Sequence, residues 1–491
     1  MPLLPLRIFS TTAVAATVFI SSALAEIHLG QGTMSGEVTT SSALVQTRLT
    51  ATKDLDADGD MPGAKGVVAF RWSDSPNLEN AQETALVPAS SHHDYIVRAE
   101  LPDLDADTRY YFRPVYGLDA DSLQVGPLNS FKTHPGADNG TEVRFIVGSC
   151  INYIKFMHGK AGNAGPVITA TAEDKRLGFP AFTAMRDLKP DFFIGTGDIV
   201  YYDNPYRVSK TVEELRKCWH EQFRFPRMID FFQDVPTYWS KDDHDFRYND
   251  SDNSTDRLPL APTVIELFRE QLPIVPMHDP ITPTYRTYRV SKDLQIWISE
   301  GRDYRSPNNM EDGPGKTLWG LEQRAWLQRT LKASDAKWKL LITPTPMVGP
   351  DITDIPPVGH DIADSTDAFK PAKTDNHASL NGFRHEADAF FDWLKINRID
   401  NFMTICGDRH WQYHSIHPSG HEEFAVGALN DENSRLGVEP GDPGGTDPDA
   451  LISQPYITSE PRGGFLQVTA SDQLVIDFYD AKGNRVHQVK R

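Results

Sequence analysis

The chain has 491 residues, and its 49 Lys and Arg against 68 Asp and Glu leave a formal net charge of −19. This balance argues against general binding to nucleic acids or anionic membranes, because attraction to phosphates needs a basic surface. With 39% hydrophobic and 24% charged residues, disorder over most of the length is excluded and two or three globular cores are expected. The three cysteines allow at most one disulfide, so stability must come from burial.

The first 25 residues have the features of a signal peptide. Arg7 precedes an apolar run, 8–23, that contains no charge, and Ala23-Leu24-Ala25 has the small-x-small form of a cleavage site. The run is too short and too rich in Thr, Ser and Ala for a strong transmembrane helix, so we expect cleavage after Ala25 rather than an anchor. The sequence therefore predicts an exported protein, periplasmic or secreted, with no transmembrane anchor after cleavage.

Residues 26–135 predict an all-β sandwich. Short β-branched strands alternate with turn clusters, as at 44–49 and 67–72. The stretch from Leu101 to Phe112 resembles the L-x-x-L-x-x-x-T-x-Y-x-F segment of fibronectin type III domains. In such domains the Tyr hydroxyl ties a corner to nearby backbone, which would make Tyr110 structural.

An acidic run, Asp54 to Asp60, interrupts this region. Its spacing is compatible with a calcium loop, but it lacks the terminal Glu of an EF-hand and lies between strands. A solvated turn is therefore the favoured interpretation.

A linker is predicted at 134–140, and residues 141–491 predict an α/β domain. Strands and helices alternate there, which is typical of a central sheet covered by helices. The predicted elements are 142–148, 179–188, 191–196, 211–232, 237–240, 295–300, 320–331, 337–343, 386–397 and 401–406, with a terminal hairpin at 464–469 and 473–479. Two long stretches without periodicity, 350–376 and 430–455, are interpreted as functional lids or mobile insertions.

Four predicted strands end in residues that carry chemistry. Their ends read Gly148-Ser149-Cys150, Gly197-Asp198 with Tyr201 to Asp203, Asp242-Asp243-His244-Asp245 continuing to Asn249, and Gly407-Asp408-Arg409-His410. Taken singly, each is more often a turn, a buried core cysteine or a solvated loop. Taken together, clustered carboxylates repel one another unless cations neutralise them, and Asp and His are standard metal ligands. The joint pattern favours a metal centre at one sheet edge.

In this order, behind a fibronectin-like region, these motifs resemble the alkaline phosphatase D family of metallophosphatases. The segments 301–306 and 319–327 are also similar to the central region of that family. The resemblance implies a calcineurin-like phosphoesterase fold, an αββα sandwich, after the β-sandwich domain. It also implies a mixed centre of Fe³⁺ and Ca²⁺, with other divalent metals possible.

Carried over by position, the resemblance implies a role for each motif residue. His244 would contact the phosphate and protonate the leaving oxygen, while Arg302 and Arg305 are weaker candidates for gripping phosphate. The implied metal ligands are Cys150, Asp198, Tyr201, Asp243, Asn249, Asp408 and His410. Thiolate and phenolate suit trivalent iron, and carboxylate and amide oxygens suit calcium. Adjacent cations would offset phosphoryl charge and lower the pKa of a bound water.

The chain departs from the family pattern at three points. Arg7 stands alone, without the twin arginine of folded export, so general secretory export is expected. Asp245 stands where Glu is commoner, which puts a second calcium site in doubt. The fibronectin-like region is acidic enough to serve substrate or partner binding as well as packing.

The sequence thus predicts an exported phosphoric ester hydrolase that acts on phosphomonoesters, phosphodiesters or both. Its partners would be small phosphate esters, including phospholipid-derived or nucleotide-derived esters. Two alternatives stay open: a phospholipase-type diesterase at lipid surfaces, which needs an exposed apolar rim, and a non-catalytic extracellular binding module, which needs a broken ligand set.

Overall fold

The computed structural model describes residues 26–159, 168–204, 206–277, 279–352, 375–379 and 382–491. The predicted signal peptide and most of the predicted loop at 350–376 lie outside these residues. Within the described ranges, no helix is both long and apolar enough to cross a membrane.

Strands dominate the described residues. In chain order they are β1 (Thr33–Gly36), β2 (Ala43–Arg48), β3 (Gly66–Ser73), β4 (Gln82–Glu83), β5 (Val87–Ala89), β6 (Ile96–Leu101), β7 (Arg109–Gly117), β8 (Gln124–Val125), β9 (Asn129–Lys132), β10 (Val143–Gly148), β11 (Phe192–Thr196), β12 (Asp203–Asn204), β13 (Arg207–Val208), β14 (Thr237–Ser240), β15 (Arg286–Arg289), β16 (Leu294–Ile298), β17 (Trp338–Thr343), β18 (Phe402–Cys406), β19 (Gln412–Ile416), β20 (Glu422–Val426), β21 (Ser453–Ile457), β22 (Gly464–Ala470), β23 (Leu474–Asp480) and β24 (Arg485–Lys490). The helices are α1 (Tyr153–His158), α2 (Ala172–Leu177), α3 (Pro180–Asp187), α4 (Val212–Phe223), α5 (Pro226–Phe232), α6 (Ala261–Gln271), α7 (Gly320–Ala333) and α8 (Arg384–Ile396), with 3₁₀ turns at Ser91–His93 and Asp431–Asn433.

Two large sheets face each other across the main core. The first has the order β24-β23-β22-β10-β11-β14-β1-β2-β6, and the second has the order β15-β16-β17-β18-β20-β19-β21. Apolar side chains of both sheets, such as Phe145 and Phe192 from the first and Leu340 and Phe424 from the second, form one buried cluster. Helices α3 to α6 cover the outer face of the first sheet, and α7 and α8 cover that of the second. This arrangement is the predicted αββα sandwich.

The N-terminal region adds to the first sheet rather than standing apart from it. Strand β1 pairs in parallel with β14, where Gly36 lies opposite Thr237, and β2 and β6 follow. A separate sheet built on β3 and β7, which also holds β4, β5, β8 and β9, completes an all-β region. Tyr110 accepts a hydrogen bond from the backbone N–H of Asp105 at 2.9 Å, which confirms its predicted role in closing a corner.

Two local predictions need correction. The single helix expected at 211–232 is two helices, because Pro226 lacks an N–H and holds Phe225 in an extended conformation. The acidic run is not simply a solvated turn: Asp54 pairs with Arg224 at 2.8 Å, and Asp60 lies 2.6 Å from Nδ1 of His220 on α4. The predicted terminal hairpin is confirmed as β22 and β23.

Candidate metal centre

The four sequence motifs meet where parallel strands end. In the first sheet β10, β11 and β14 are parallel neighbours, and Cys150, Asp198 and Asp243 follow their carboxyl ends. In the facing sheet, β18 runs parallel to β17 and carries Asp408 and His410 just beyond its end. Parallel strands bring loops from distant sequence positions to one edge, which is why the site gathers there.

Backbone geometry turns the ligand side chains inward at these ends. Cys150, Asp198 and Asp408 have positive φ angles of 56°, 55° and 61°, a conformation uncommon for residues other than glycine. The glycine of the last motif lies tightly between the two sheets. A Cβ at Gly407 would come within 2.3 Å of the Thr196 carbonyl oxygen and 2.5 Å of Ser149 Oγ. Only glycine therefore allows the two sheets to approach at this point.

Six of the sequence-predicted residues form one connected cluster. Ligand atoms of Cys150, Asp198 and His410 lie within 4.8 Å of one another, and so do those of Asp198, Asp243 and His244. Asp198 belongs to both groups, and the Tyr201 hydroxyl donates to its Oδ2 at 3.1 Å. The cluster therefore spans both sheets, with Asp198 at its centre.

The remaining predicted ligands border this cluster. Asp408 pairs with Arg409, and its charge still raises the pKa of the Cys150 thiol, after burial and Asp198. Asn249 contacts the site through its backbone, whose N–H donates to Asp203 Oδ2 at 2.7 Å. The assignment of both side chains as ligands stays a prediction.

The cluster concentrates negative charge away from water. Burial raises the pKa of Asp198 well above its usual value; the charge of His244 opposes this, and Asp243, Asp242 and Asp245 reinforce it. Burial likewise raises the pKa of Tyr201, to which the charges of Asp198 and Cys150 add. Since one unit of pKa corresponds to about 1.4 kcal/mol, the metal-free site resists full ionisation.

His244 is held on the side of the cluster. Its Nδ1 lies 2.6 Å from Asp203 Oδ1, and its ring lies against that of Tyr201 with centroids 4.2 Å apart. Burial lowers the pKa of His244, but Asp203, Asp243 and Asp198 outweigh burial and raise it well above its usual value. The imidazole is thus fixed in orientation and favours its protonated form.

The two arginines have different surroundings. Arg302 is buried and donates through Nε to Asp242 Oδ1 at 2.7 Å, and its Nη2 lies 3.9 Å from Asp243 Oδ1. Arg305 donates to the Gly301 carbonyl oxygen at 2.7 Å and to Asn308. Arg302 therefore contacts acids that flank the cluster. Binding of phosphate by either arginine stays a prediction.

Three further residues lie at the site, although the sequence analysis assigned them no role. Asp203 was visible in the second motif, but nothing in the sequence showed that it reaches His244. Asp375 forms a third acidic group with Asp243 and Asp250, their oxygens within 4.8 Å of one another. Asn433, from the long stretch at 430–455, donates to the Tyr201 hydroxyl oxygen at 2.9 Å. Only tertiary structure brings these positions to the strand ends.

The donor set fits a metal centre. Asp198 Oδ1 is buried, and no group in the described ranges donates to it, although its partner oxygen accepts from Tyr201. Thiol, phenol, imidazole and carboxylate groups converge there, and buried carboxylates without a cationic partner are costly. A bound cation would satisfy the free oxygen and offset the repulsion.

Comparison with known proteins agrees with this geometry. A family model described as PhoD-like phosphatase matches residues 145–439, more than half of the chain, and one described as PhoD-like phosphatase, N-terminal domain, matches residues 13–135. A solved structure of PhoD has a TM-score of 0.71 at 18% identity, with 94% of this chain and 89% of that chain covered. A purple acid phosphatase from yellow lupin (Lupinus luteus) seeds has a TM-score of 0.55 at 11% identity, with 93% and 73% covered. A search of curated proteins found no match.

These matches confirm the resemblance on which the sequence interpretation rested. The solved structures also confirm the αββα fold with a preceding β domain, and the family model shows the class of phosphoric ester hydrolase. The non-catalytic alternative required a broken ligand set, whereas Cys150, Asp198, Asp243 and His410, all predicted ligands, belong to one connected cluster.

Proposed function

We infer that this chain, which belongs to the PhoD-like phosphatase family and is therefore a metal-dependent phosphoesterase, uses the cluster around Asp198 as its active site. The single observation that carries the assignment is that Cys150, Asp198, Asp243, His244 and His410, spread over the whole phosphatase region, bring their ligand atoms together at one edge of the two sheets.

The residues divide by donor type between two kinds of metal. Cys150 and Tyr201 would hold Fe³⁺ with Asp198, because thiolate and phenolate are strong donors, and Asp408 and His410 would complete that side. Asp243 and Asn249 would hold Ca²⁺, which prefers oxygen ligands, with Asp198 shared. When bound, the metals supply positive charge for the phosphoryl oxygens and lower the pKa of the attacking water.

The chain itself supplies orientation and a proton. His244, whose Nδ1 lies 2.6 Å from Asp203 Oδ1, would use a proton on its other ring nitrogen, Nε2, to protonate the leaving oxygen. Arg302 holds Asp242 and lies near Asp243, so it fixes the loop that presents His244. Arg305 retains one buried guanidinium nitrogen, Nη2, without a partner in the described ranges, which supports a contact to phosphate when substrate binds.

Hydrolysis of p-nitrophenyl phosphate and of its bis ester tests the assignment and ranks monoesters against diesters. We expect turnover that a chelator abolishes and added calcium with iron restores. The matched variant Asp198→Asn should stay folded and inactive with every metal. Full turnover by the chelated protein or by this variant would refute the assignment.

Esters of lipids form a second candidate class. Several large apolar side chains are exposed on loops that follow the strands at the active-site edge: Tyr206 at 62%, Leu258 at 47%, Leu260 at 43%, Met310 at 41% and Leu436 at 59%. Exposed apolar side chains on loops near an active site would favour a substrate with apolar parts. If these side chains bind lipid, Leu258→Ser with Leu260→Ser should lower hydrolysis of phosphatidylcholine vesicles and spare the soluble bis ester; equal loss on both would oppose this role.

Export and domain organisation follow from the sequence. We propose that residues 1–25 direct secretion to the periplasm or the medium, and that 26–135 and 141–491 are the two domains. The separate family models support this boundary along the chain, while β1, β2 and β6 of the first domain extend a sheet of the second. Amino-terminal sequencing of the exported protein tests the cleavage site; a mature chain beginning at Met1 would contradict it.

A further inference from the structure

The stretch 430–455 was interpreted from the sequence as a lid or a mobile insertion. Its first residues, 430–434, are instead buried at the candidate metal centre. Asn430, Asn433 and Ser434 are at most 2% exposed, and Asp431–Asn433 forms a 3₁₀ turn. This burial sets 430–434 apart from the exposed residues that follow, such as Leu436.

The segment joins the two sheets at the candidate centre. At its start, the backbone N–H of Leu429 donates to the Ser149 carbonyl oxygen at 3.0 Å. At its end, the N–H of Arg435 donates to the His410 carbonyl oxygen at 3.1 Å. The turn is therefore tied to a strand end of each sheet. In the first sheet the bonded residue, Ser149, precedes the predicted ligand Cys150, and in the second the bonded residue, His410, is itself a predicted ligand.

Asn433 lies in the middle of this bridge and points at two predicted iron ligands. Its Nδ2 donates to the Tyr201 hydroxyl oxygen at 2.9 Å and to the Cys150 carbonyl oxygen at 3.0 Å. Both protons of the amide nitrogen are thereby used. Its Oδ1 accepts from Lys155 Nζ at 3.1 Å, which fixes the direction of the amide and places a positive charge behind it.

We propose that Asn433 is a positioning residue that holds the Tyr201 oxygen as an acceptor and tunes its strength as a metal ligand, with Lys155 setting the amide orientation. A hydrogen bond donated to a metal-bound phenolate withdraws electron density from its oxygen and so weakens that oxygen as a donor to the metal. The same amide ties the Cys150 backbone, so one side chain sets the relative position of both ligands. This inference rests on the proposed iron site.

The visible spectrum of the iron-loaded protein tests it. Wild type should show a phenolate-to-iron band that Tyr201→Phe abolishes. In Asn433→Ala the phenolate loses its donor and becomes more electron-rich, so the band should move to longer wavelength. Lys155→Gln should move the band in the same direction by a smaller amount.

Asn430→Ala is the matched control. Asn430 is equally buried at the start of the same turn, but its side chain accepts from the Asn152 N–H and donates to Glu432 rather than to Tyr201. Its variant should lower thermal stability and leave the band in place. A band unmoved in both Asn433→Ala and Lys155→Gln overturns the inference and leaves the iron site standing, whereas a wild-type protein without a Tyr201-dependent band overturns the iron assignment and this inference with it.

Discussion

Two histidines in this molecule lie between carboxylates, and the contrast between their surroundings explains where the chemistry lies. His220, on α4, has Asp60 at 2.6 Å from Nδ1 and Asp94 at 2.7 Å from Nε2. His244 has Asp203 at 2.6 Å from Nδ1 and the metal-ligand cluster beside it. Both are largely enclosed, but the acids around them differ in how their charge is balanced.

At His220 the protein supplies its own cations. Burial alone would raise the pKa of Asp94, but hydrogen bonds and charges from His220 and Arg48 outweigh it and hold that pKa well below its usual value. At the strand ends, burial raises the pKa of Asp198 and of Asp242, and the like charge of Asp243 adds to both shifts; His244 opposes the first shift and Arg302 the second, but both pKa values stay raised. The first network is complete as a structural contact, and the second is complete only with a bound cation.

Removing the shared ligand should have the largest effect. Asp198→Asn takes away the carboxylate common to both ligand groups, so the loss of activity should exceed the roughly 10- to 100-fold loss typical of an outer-shell partner. Metal analysis together with kcat on the bis ester measures it. A variant that retains metal and more than a tenth of the activity would remove Asp198 from the centre of the site.

The variant His244→Gln should cause the second-largest loss of activity. Loss of a general acid costs about 10²- to 10⁴-fold in kcat. The loss should be smaller for esters with a good leaving group, such as p-nitrophenol, than for an alkyl ester, because the former needs no proton. An equal loss on both esters would show that His244 binds phosphate without donating a proton.

Asp203→Asn should have a smaller effect and change the pH dependence. The Asp203 charge helps to raise the pKa of His244, so its removal lowers that pKa. His244 then loses its proton at lower pH, and the alkaline limb of kcat should move to lower pH, with kcat reduced about 10- to 100-fold. An unchanged pH profile would mean that Asp203 only supports the loop.

Changes in the network around His220 should lower the stability of the protein without changing its catalytic activity. Asp94→Asn leaves Arg48 and His220 buried with one acid fewer, which should cost about 3–5 kcal/mol of unfolding free energy. Asp60→Asn, at a half-exposed position, should cost roughly 0–1 kcal/mol and serves as the control. Denaturant unfolding at pH 7 measures both, and a changed kcat in folded Asp94→Asn would show coupling to the active site.

The same network sets the response to acid. The pKa of Asp94 is lower in the folded protein than the unfolded value near 3.9, so its contribution is present above about pH 4 and is lost as pH falls below that value. The unfolding free energy of wild type should therefore fall more steeply on acidification than that of Asp94→Asn.

The sequence predicts those features of the site that depend on residues close together in the chain, and it misses contacts between residues far apart in the chain. The strand-end motifs are local, so the sequence located Cys150, Asp198, Asp243 and His410, and the alternation of elements predicted the sandwich. The partners of these residues are not local. Asp203 reaches His244 across 41 positions and Asn433 reaches Tyr201 across 232.

The acidic run Asp54 to Asp60 also has binding partners that are far away in the sequence. It was interpreted as a solvated turn because it lacks the terminal Glu of a calcium loop and lies between strands. The basic side chains that bind it, including His220 on α4 and Arg224 directly after its end, lie more than 150 positions later. The continuation of the first sheet from β14 into β1 was equally invisible, since a parallel pairing leaves no turn signal in the sequence.

The most direct test of the central claim, that the strand-end acids require a cation, is the thermal unfolding midpoint of wild type and Asp198→Asn with and without metal. A cation at 100 times its dissociation constant should stabilise wild type by about 2.7 kcal/mol. Metal-free Asp198→Asn should be at least as stable as metal-free wild type at pH 8, because it lacks a buried like charge, and it should gain little from metal. Equal gains from metal in the two proteins, or a metal-free variant much less stable than wild type, would contradict the account.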